Sequence, residues 1–116
     1  MGSISEILIK RFEAFIQNKP DEIYNLYSEN SELKSFFPTK DIYYEHFQEI
    51  YKQTMPIKID IVSEHIKGTL AQILSIESFL DSEEGEVIYY TKTILKKEKN
   101  SWKILKEFRE KYTKRD

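Results

Sequence analysis

Two histidines are the only side chains of this 116-residue chain whose ordinary pKa lies near neutrality. His46 has the more suggestive setting. It stands three residues after Tyr43 and three before Glu49, so on a helix the three groups lie on neighbouring faces one turn apart. There an imidazole could act as a general base, given an orienting partner and access to a cavity, but the preferred reading is a packing group at the boundary between core and solvent. His65 follows Glu64 in an alternating stretch where neighbours face opposite sides, and it reads as a surface residue. Cysteine is absent, so there is neither a thiolate nucleophile nor a disulfide framework. A metal site would need two distant histidines plus carboxylates, and no HExxH or EF-hand spacing supplies one, so no metal or cofactor is expected. Glycine-rich phosphate loops and a nucleophile elbow are also missing.

Charge is distributed more tellingly than the net value of −2 suggests. Residues 92–116 hold ten of the 18 basic residues against four acidic ones, while the remainder carries eight basic against sixteen acidic. Tyr90 and Tyr112 could stack on bases beside such a cluster. Lysines on outward strand positions also protect edges and aid solubility, and that explanation is preferred to nucleic-acid binding.

The elements that must position these residues are delimited by few breakers, three glycines and three prolines. Ser3 and Glu6 form a capping-box pattern, and Ile4, Ile7, Leu8, Phe12 and Phe15 recur at helical spacing, which predicts a helix over about residues 4–17. Pro20, Asp21 and Glu22 open a short second helix with Ile23, Leu26 and Tyr27 as its stripe. Residues 28–35 read as a loop or frayed turn. Thr39 caps a third helix carrying Tyr43, Phe47, Ile50 and Tyr51 and ending near Gln53. After Pro56 the period changes to two. Ile57, Ile59 and Ile61 alternate with polar residues, and the phase then shifts to Val62, predicting a bulge or bend. Strands follow over 70–80, 86–98 and 102–108. Val87, Tyr89, Thr91, Thr93 and Leu95 would face the helices with Trp102 and Ile104. Ile88, Tyr90, Ile94 and Leu105 would face outward as an apolar patch of the kind that marks a partner. Helices followed by meandering strands give an α+β domain, three helices on a curved four-stranded antiparallel sheet, spanning residues 1–116. With 14% aromatic residues, no 18-residue apolar run and no signal-peptide pattern, the chain reads as soluble, cytoplasmic and without a membrane segment.

In this arrangement the chain resembles the nuclear transport factor 2-like superfamily, including its SnoaL-like and ketosteroid-isomerase-like members. The passage RFEAFIQNKPDEIYNLYSE (Arg11 to Glu29) is similar to that family's first two helices, TKDIYYEHFQEIYKQ (Thr39 to Gln53) to its third, and YYTKTILKKEKNSWKIL (Tyr89 to Leu105) to its closing hairpin. The resemblance implies a cystatin-like cone fold with an internal pocket and dimerisation through the outer sheet face. It implies little about function, because the superfamily includes isomerases and dehydratases beside noncatalytic domains. Isomerase-like members carry a phenol on the first helix and a carboxylate base after the second. Here Phe12 stands at the phenol position and roughly Ser35 at the base position, with Glu32 a substitute base nearby. Phe12 cannot donate a hydrogen bond.

The sequence therefore predicts a noncatalytic small-ligand-binding or protein-interaction domain. Its pocket would be lined by Phe12, Phe15, Tyr27, Tyr89, Thr91, Thr93 and Trp102, and its homodimer face by Ile88, Tyr90, Ile94 and Leu105. The alternatives are an isomerase or dehydratase using His46 or Glu32 as base, and a homodimeric interaction module with a filled cone.

Overall fold

The computed structural model describes residues 3–112. Four helices precede four strands: α1 (Glu6–Ile16), α2 (Pro20–Asn25), α3 (Glu32–Phe36), α4 (Lys40–Gln53), β1 (Thr54–Lys67), β2 (Leu70–Asp81), β3 (Gly85–Glu98) and β4 (Ser101–Lys111). The α+β expectation holds, and the sheet is an antiparallel meander in the order β1-β2-β3-β4.

Three local features differ from the sequence reading. The α1 helix begins at Glu6 rather than Ile4 and has no side-chain cap; the Glu6 N–H donates instead to the Ser3 carbonyl at 3.2 Å, and the backbone N–H and hydroxyl of Ser5 both donate to Glu64 on β1. Residues 32–36, read as loop, form a short helix whose cap is Ser31, its hydroxyl accepting from the Lys34 N–H at 3.2 Å. One apolar residue, Leu33, is too little for a periodicity to show. The β1 strand starts at Thr54, ahead of Pro56, which pairs with Phe79. The β1 strand is an edge strand, where proline is tolerated as it would not be in a strand paired on both sides.

The expected irregularity after Ile61 is present as a register shift between Ile61 and Ser63, and a second lies between Pro56 and Lys58. A third shift matters more for function. Leu95 pairs with Ile104 but Ile94 pairs with Lys106, so Leu105 is an extra residue in β4. Beyond it the alternation is reset. Glu107 and Arg109 stand opposite the inward Thr93 and Thr91, and Lys106 and Phe108 stand opposite the outward Ile94 and Lys92.

The core forms where the helices meet the inner sheet face, around Leu8, Phe47, Ile73, Leu95 and Ile104, none more than 1% exposed. The chain between α2 and α3 joins the sheet as well. Tyr27 bridges Ile104 in parallel, with Ser28 N–H donating to the Ile104 carbonyl at 2.8 Å and Ile104 N–H to the Leu26 carbonyl at 2.9 Å. Asn18 and Lys99 take positive φ at the turns after α1 and before β4, as do Gly68 and Gly85 in the two other hairpins. Among the described residues no helix is long and apolar enough to cross a membrane.

Phe47 packs edge-on against Phe15 at 4.9 Å between ring centroids and stacks on Tyr51. Phe47→Ala should lower the free energy of unfolding by about 3–5 kcal/mol, read from urea denaturation; a loss under ~1 kcal/mol would mean that the ring is not a core element.

Candidate functional site

The site is built on the inner face of the sheet's second half. Cross-strand register aligns Glu77 with Tyr89 and Ser75 with Thr91 between β2 and β3, and Thr91 with Arg109 between β3 and β4. The first helix supplies Arg11, one turn beyond Leu8 on the same buried face. These elements bring two guanidinium groups and two carboxylates together on the cone floor.

Arg11 is 7% exposed and Glu77 5%. Arg11 Nη2 donates to Glu77 Oε1 at 3.0 Å and Nη1 to the Tyr27 hydroxyl at 3.1 Å, and the Arg11 guanidinium also pairs with Glu107. Tyr27 in turn donates to Glu107 Oε1 at 3.1 Å, and the Thr91 hydroxyl donates to Glu77 Oε2 at 2.7 Å. Arg109 closes the group from β4, its Nη2 lying 3.4 Å from Glu77 Oε2 and 3.8 Å from Glu107 Oε2. The Arg109 guanidinium sits over the Phe79 ring at 5.8 Å. Arg11 and Glu77 form the buried pair at the centre of the group, and Glu107 and Arg109 complete it from the more exposed side. Burial raises the Glu77 pKa, but the Arg11 and Arg109 charges, with hydrogen bonds from Thr91 and Arg11, outweigh it and hold the carboxyl below its ordinary value.

Above this floor lies a cavity of about 400 Å³. Eight phenyl or phenol rings wall it, those of Phe12, Phe15, Tyr27, Phe37, Tyr43, Phe47, Phe79 and Tyr89. Burial, reinforced by Tyr27 and opposed by Arg11 and Arg109, pushes the Tyr43 phenol well above its ordinary pKa, so it stays a neutral O–H donor. His46 is also on the wall and stacks on Phe37 at 4.4 Å.

Of the predicted pocket residues, Phe12, Phe15, Tyr27 and Tyr89 line the cavity. Thr91 is buried beneath it as a partner of Glu77. Thr93 and Trp102 stand away from it. Thr93 and Ser75 are buried, neither hydroxyl having a hydrogen-bond partner among the described residues, and Trp102 packs against the core at the start of β4. Trp102 is five residues, about 17 Å of strand, from Glu107. An inward-facing position is not enough to reach the cavity, because the strands run well past it. Glu32 is exposed at the start of α3, its carboxylate 3.9 Å from Lys106, and is absent from the cavity wall. His65 is exposed on β1. Ile88, Tyr90 and Ile94 do stand on the outer face, whereas Leu105 occupies the bulge and does not continue that row. Among the described residues no group of three or more His, Asp or Glu side chains could hold a metal ion.

The sequence reading missed Arg11, Glu77, Glu107 and Arg109. Arg11 had a usable signal, a charge inside the stripe formed by Ile7, Leu8, Phe12 and Phe15, which implies a buried counterion.

Helices packed into a curved four-stranded meander, with a cavity between the two layers, make a comparison with known structures decisive. An NTF2-like protein from Cytophaga hutchinsonii superposes with a TM-score of 0.70 at 10% identity, covering 97% of this chain and 100% of that one. The fold is that of the nuclear transport factor 2-like proteins. A protein of unknown function with a cystatin-like fold from Nostoc punctiforme gives 0.67 at 10% identity, covering 94% of this chain and 88% of that one. A SEC-C motif containing protein from Rhodopseudomonas palustris gives 0.71 at 12% identity, covering 88% and 74%. No family model matches the sequence, and no curated protein does. At these identities the NTF2-like likeness extends to the fold and carries no activity with it.

Arg11→Met should cost about 3–5 kcal/mol, because it leaves Glu77 and Glu107 in the cone without their closest cation. The same variant should flatten the acid limb of stability. A carboxyl whose folded pKa lies below its unfolded value, ordinarily 4.5, stabilises the fold fully above that value and loses the contribution as pH falls through the folded pKa. Urea titrations from pH 7 to pH 3 read both effects; an unchanged acid limb in the variant would show that Arg11 does not hold Glu77 ionised.

Proposed function

We propose that the protein is a noncatalytic binding domain that takes a small, largely apolar ligand into the cone. The observation that carries this is the ring-walled cavity of about 400 Å³, which has the size and lining of a ligand site rather than of a filled core. The electrostatics favour binding over proton transfer. A general base at neutral pH works best with a pKa raised toward 7, whereas Glu77 is held below its ordinary value and committed to two arginines. His46 rests against Phe37 on the wall, and Glu32 stands outside.

The neutral probe 4-phenylbutanol tests the reading. In NMR titration it should shift ring resonances of Phe12, Phe15 and Tyr89, and Ile50→Trp, which adds an indole to the cavity wall, should abolish the effect without loss of fold. Shifts confined to the outer sheet face, or binding unaffected in Ile50→Trp, would refute it.

A second reading rests on a separate observation, and it assigns the outer sheet face to a homodimer. Ile76 on β2, Ile88 and Tyr90 on β3, and Phe108 on β4 share that face, with Tyr90 and Phe108 46% and 45% exposed. Rows of this kind on one sheet face are what a partner covers. Sedimentation at 0.1 mM should give a dimer that Ile88→Lys converts to monomer; a monomer in the parent protein would reject this reading.

A further inference from the structure

The polar groups facing the cavity are unequally committed. Both oxygens of Glu77 are taken, Oε1 by Arg11 and Oε2 by Thr91 and Arg109. Glu107 Oε1 receives Arg11 and Tyr27. Three of the four carboxylate oxygens are thus taken, and the fourth, Glu107 Oε2, has Arg109 at 3.8 Å. The donors are less committed. Arg109 touches the two carboxylates through Nη2 alone, at 3.4 and 3.8 Å, and donates no hydrogen bond among the described residues, which leaves Nε and Nη1 uncommitted. Its side chain is 38% exposed, so it can turn toward the cavity without being dragged from a dry pocket. Tyr43 supplies the second free donor. It is 8% exposed, lines the cavity, stays protonated, and its hydroxyl has no partner among the described residues.

A guanidinium and a phenol with unspent N–H and O–H groups, at the edge of an apolar chamber, match one kind of head group. We propose that the cone takes a monocarboxylate with an aromatic or aliphatic body, its head group received by Arg109 and Tyr43. This rests on the cone being a ligand site. A guanidinium presents paired donors to a carboxylate in a way that no single hydroxyl or ammonium group on a ligand could exploit. Arg109 can leave the carboxylates at small cost, because Glu77 keeps Arg11 and Thr91 and Glu107 keeps Arg11 and Tyr27. A cationic ligand has the opposite problem. It would have to displace Arg109 from its two carboxylates and from the Phe79 ring while leaving the free donors unused.

The test compares three probes that share a body, 4-phenylbutyrate, 4-phenylbutanol and 4-phenylbutylamine, by calorimetric titration of the intact chain at pH 7. The carboxylate should bind roughly tenfold or more tighter than the alcohol, the scale of one charge-assisted hydrogen bond. Arg109→Gln should bring the ratio of carboxylate to alcohol affinity down toward one, with Tyr43→Phe taking away a smaller part of that ratio. Equal affinity for carboxylate and alcohol, or preference for the amine, would overturn the head-group assignment and leave the cone as an apolar site. Failure of all three probes to bind would overturn both. The comparison among probes uses the parent protein, so it decides the matter even where a variant fails to fold.

Discussion

The cone depends on one charged side chain placed where an apolar one would ordinarily go. Arg11 leaves the buried face of α1 and reaches Glu77 on β2 and Glu107 on β4, so a single guanidinium ties the helical layer to two strands separated by a third. Buried ions are retained only when their partners are placed well, because the cost of drying an unpaired carboxylate exceeds most packing gains. Register in β2 and β4 is therefore constrained from inside the cone. A slip of one residue in either strand would turn its carboxylate to the outer face and strand the arginine.

That constraint explains the irregularity at Leu105. Counting by twos from Trp102 and Ile104 would carry Lys106 and Phe108 inward and Glu107 and Arg109 outward. The extra residue reverses the count halfway along β4. The first half of the strand then supplies apolar Ile104 to the core, and the second half supplies charge to the cavity floor. The bulge divides one strand between two tasks that strict alternation could not serve together.

Much of the architecture was legible because local signals agreed with one another. The stripes of α1 and α4, the proline and glycine positions and the phase change at Val62 all point to helices followed by a meander. The site was harder to read, for a physical reason. On β2 the outward row Leu70, Gln72, Leu74, Ile76, Ser78 and Leu80 is about as apolar as the inward row Ala71, Ile73, Ser75, Glu77 and Phe79. Hydrophobic alternation, the usual guide to which face is buried, does not separate the two faces there. Glu77 belongs inside because Arg11, Thr91 and Arg109 satisfy it, and Arg11 lies 66 positions away, a relation no local window contains. The aromatic residues Phe12, Phe15, Tyr27 and Tyr89 were recoverable, since large rings on inward positions close to the first helix have few other places to go.

The short parallel bridge between Tyr27 and Ile104 has a kinetic meaning beyond its two hydrogen bonds. It joins the end of the second helix to the last strand, and Glu107, the most distant side-chain partner of both Arg11 and Tyr27, lies on that strand as well. A chain emerging from the ribosome would have made all four helices and three strands before the groups that neutralise Arg11 were complete. Closing such long loops is slow, because the entropic cost falls due before the contacts that offset it exist. Long-range closures of this kind make the domain slower to fold than a helical bundle of the same length, and the floor of the cone is complete only once β4 has docked.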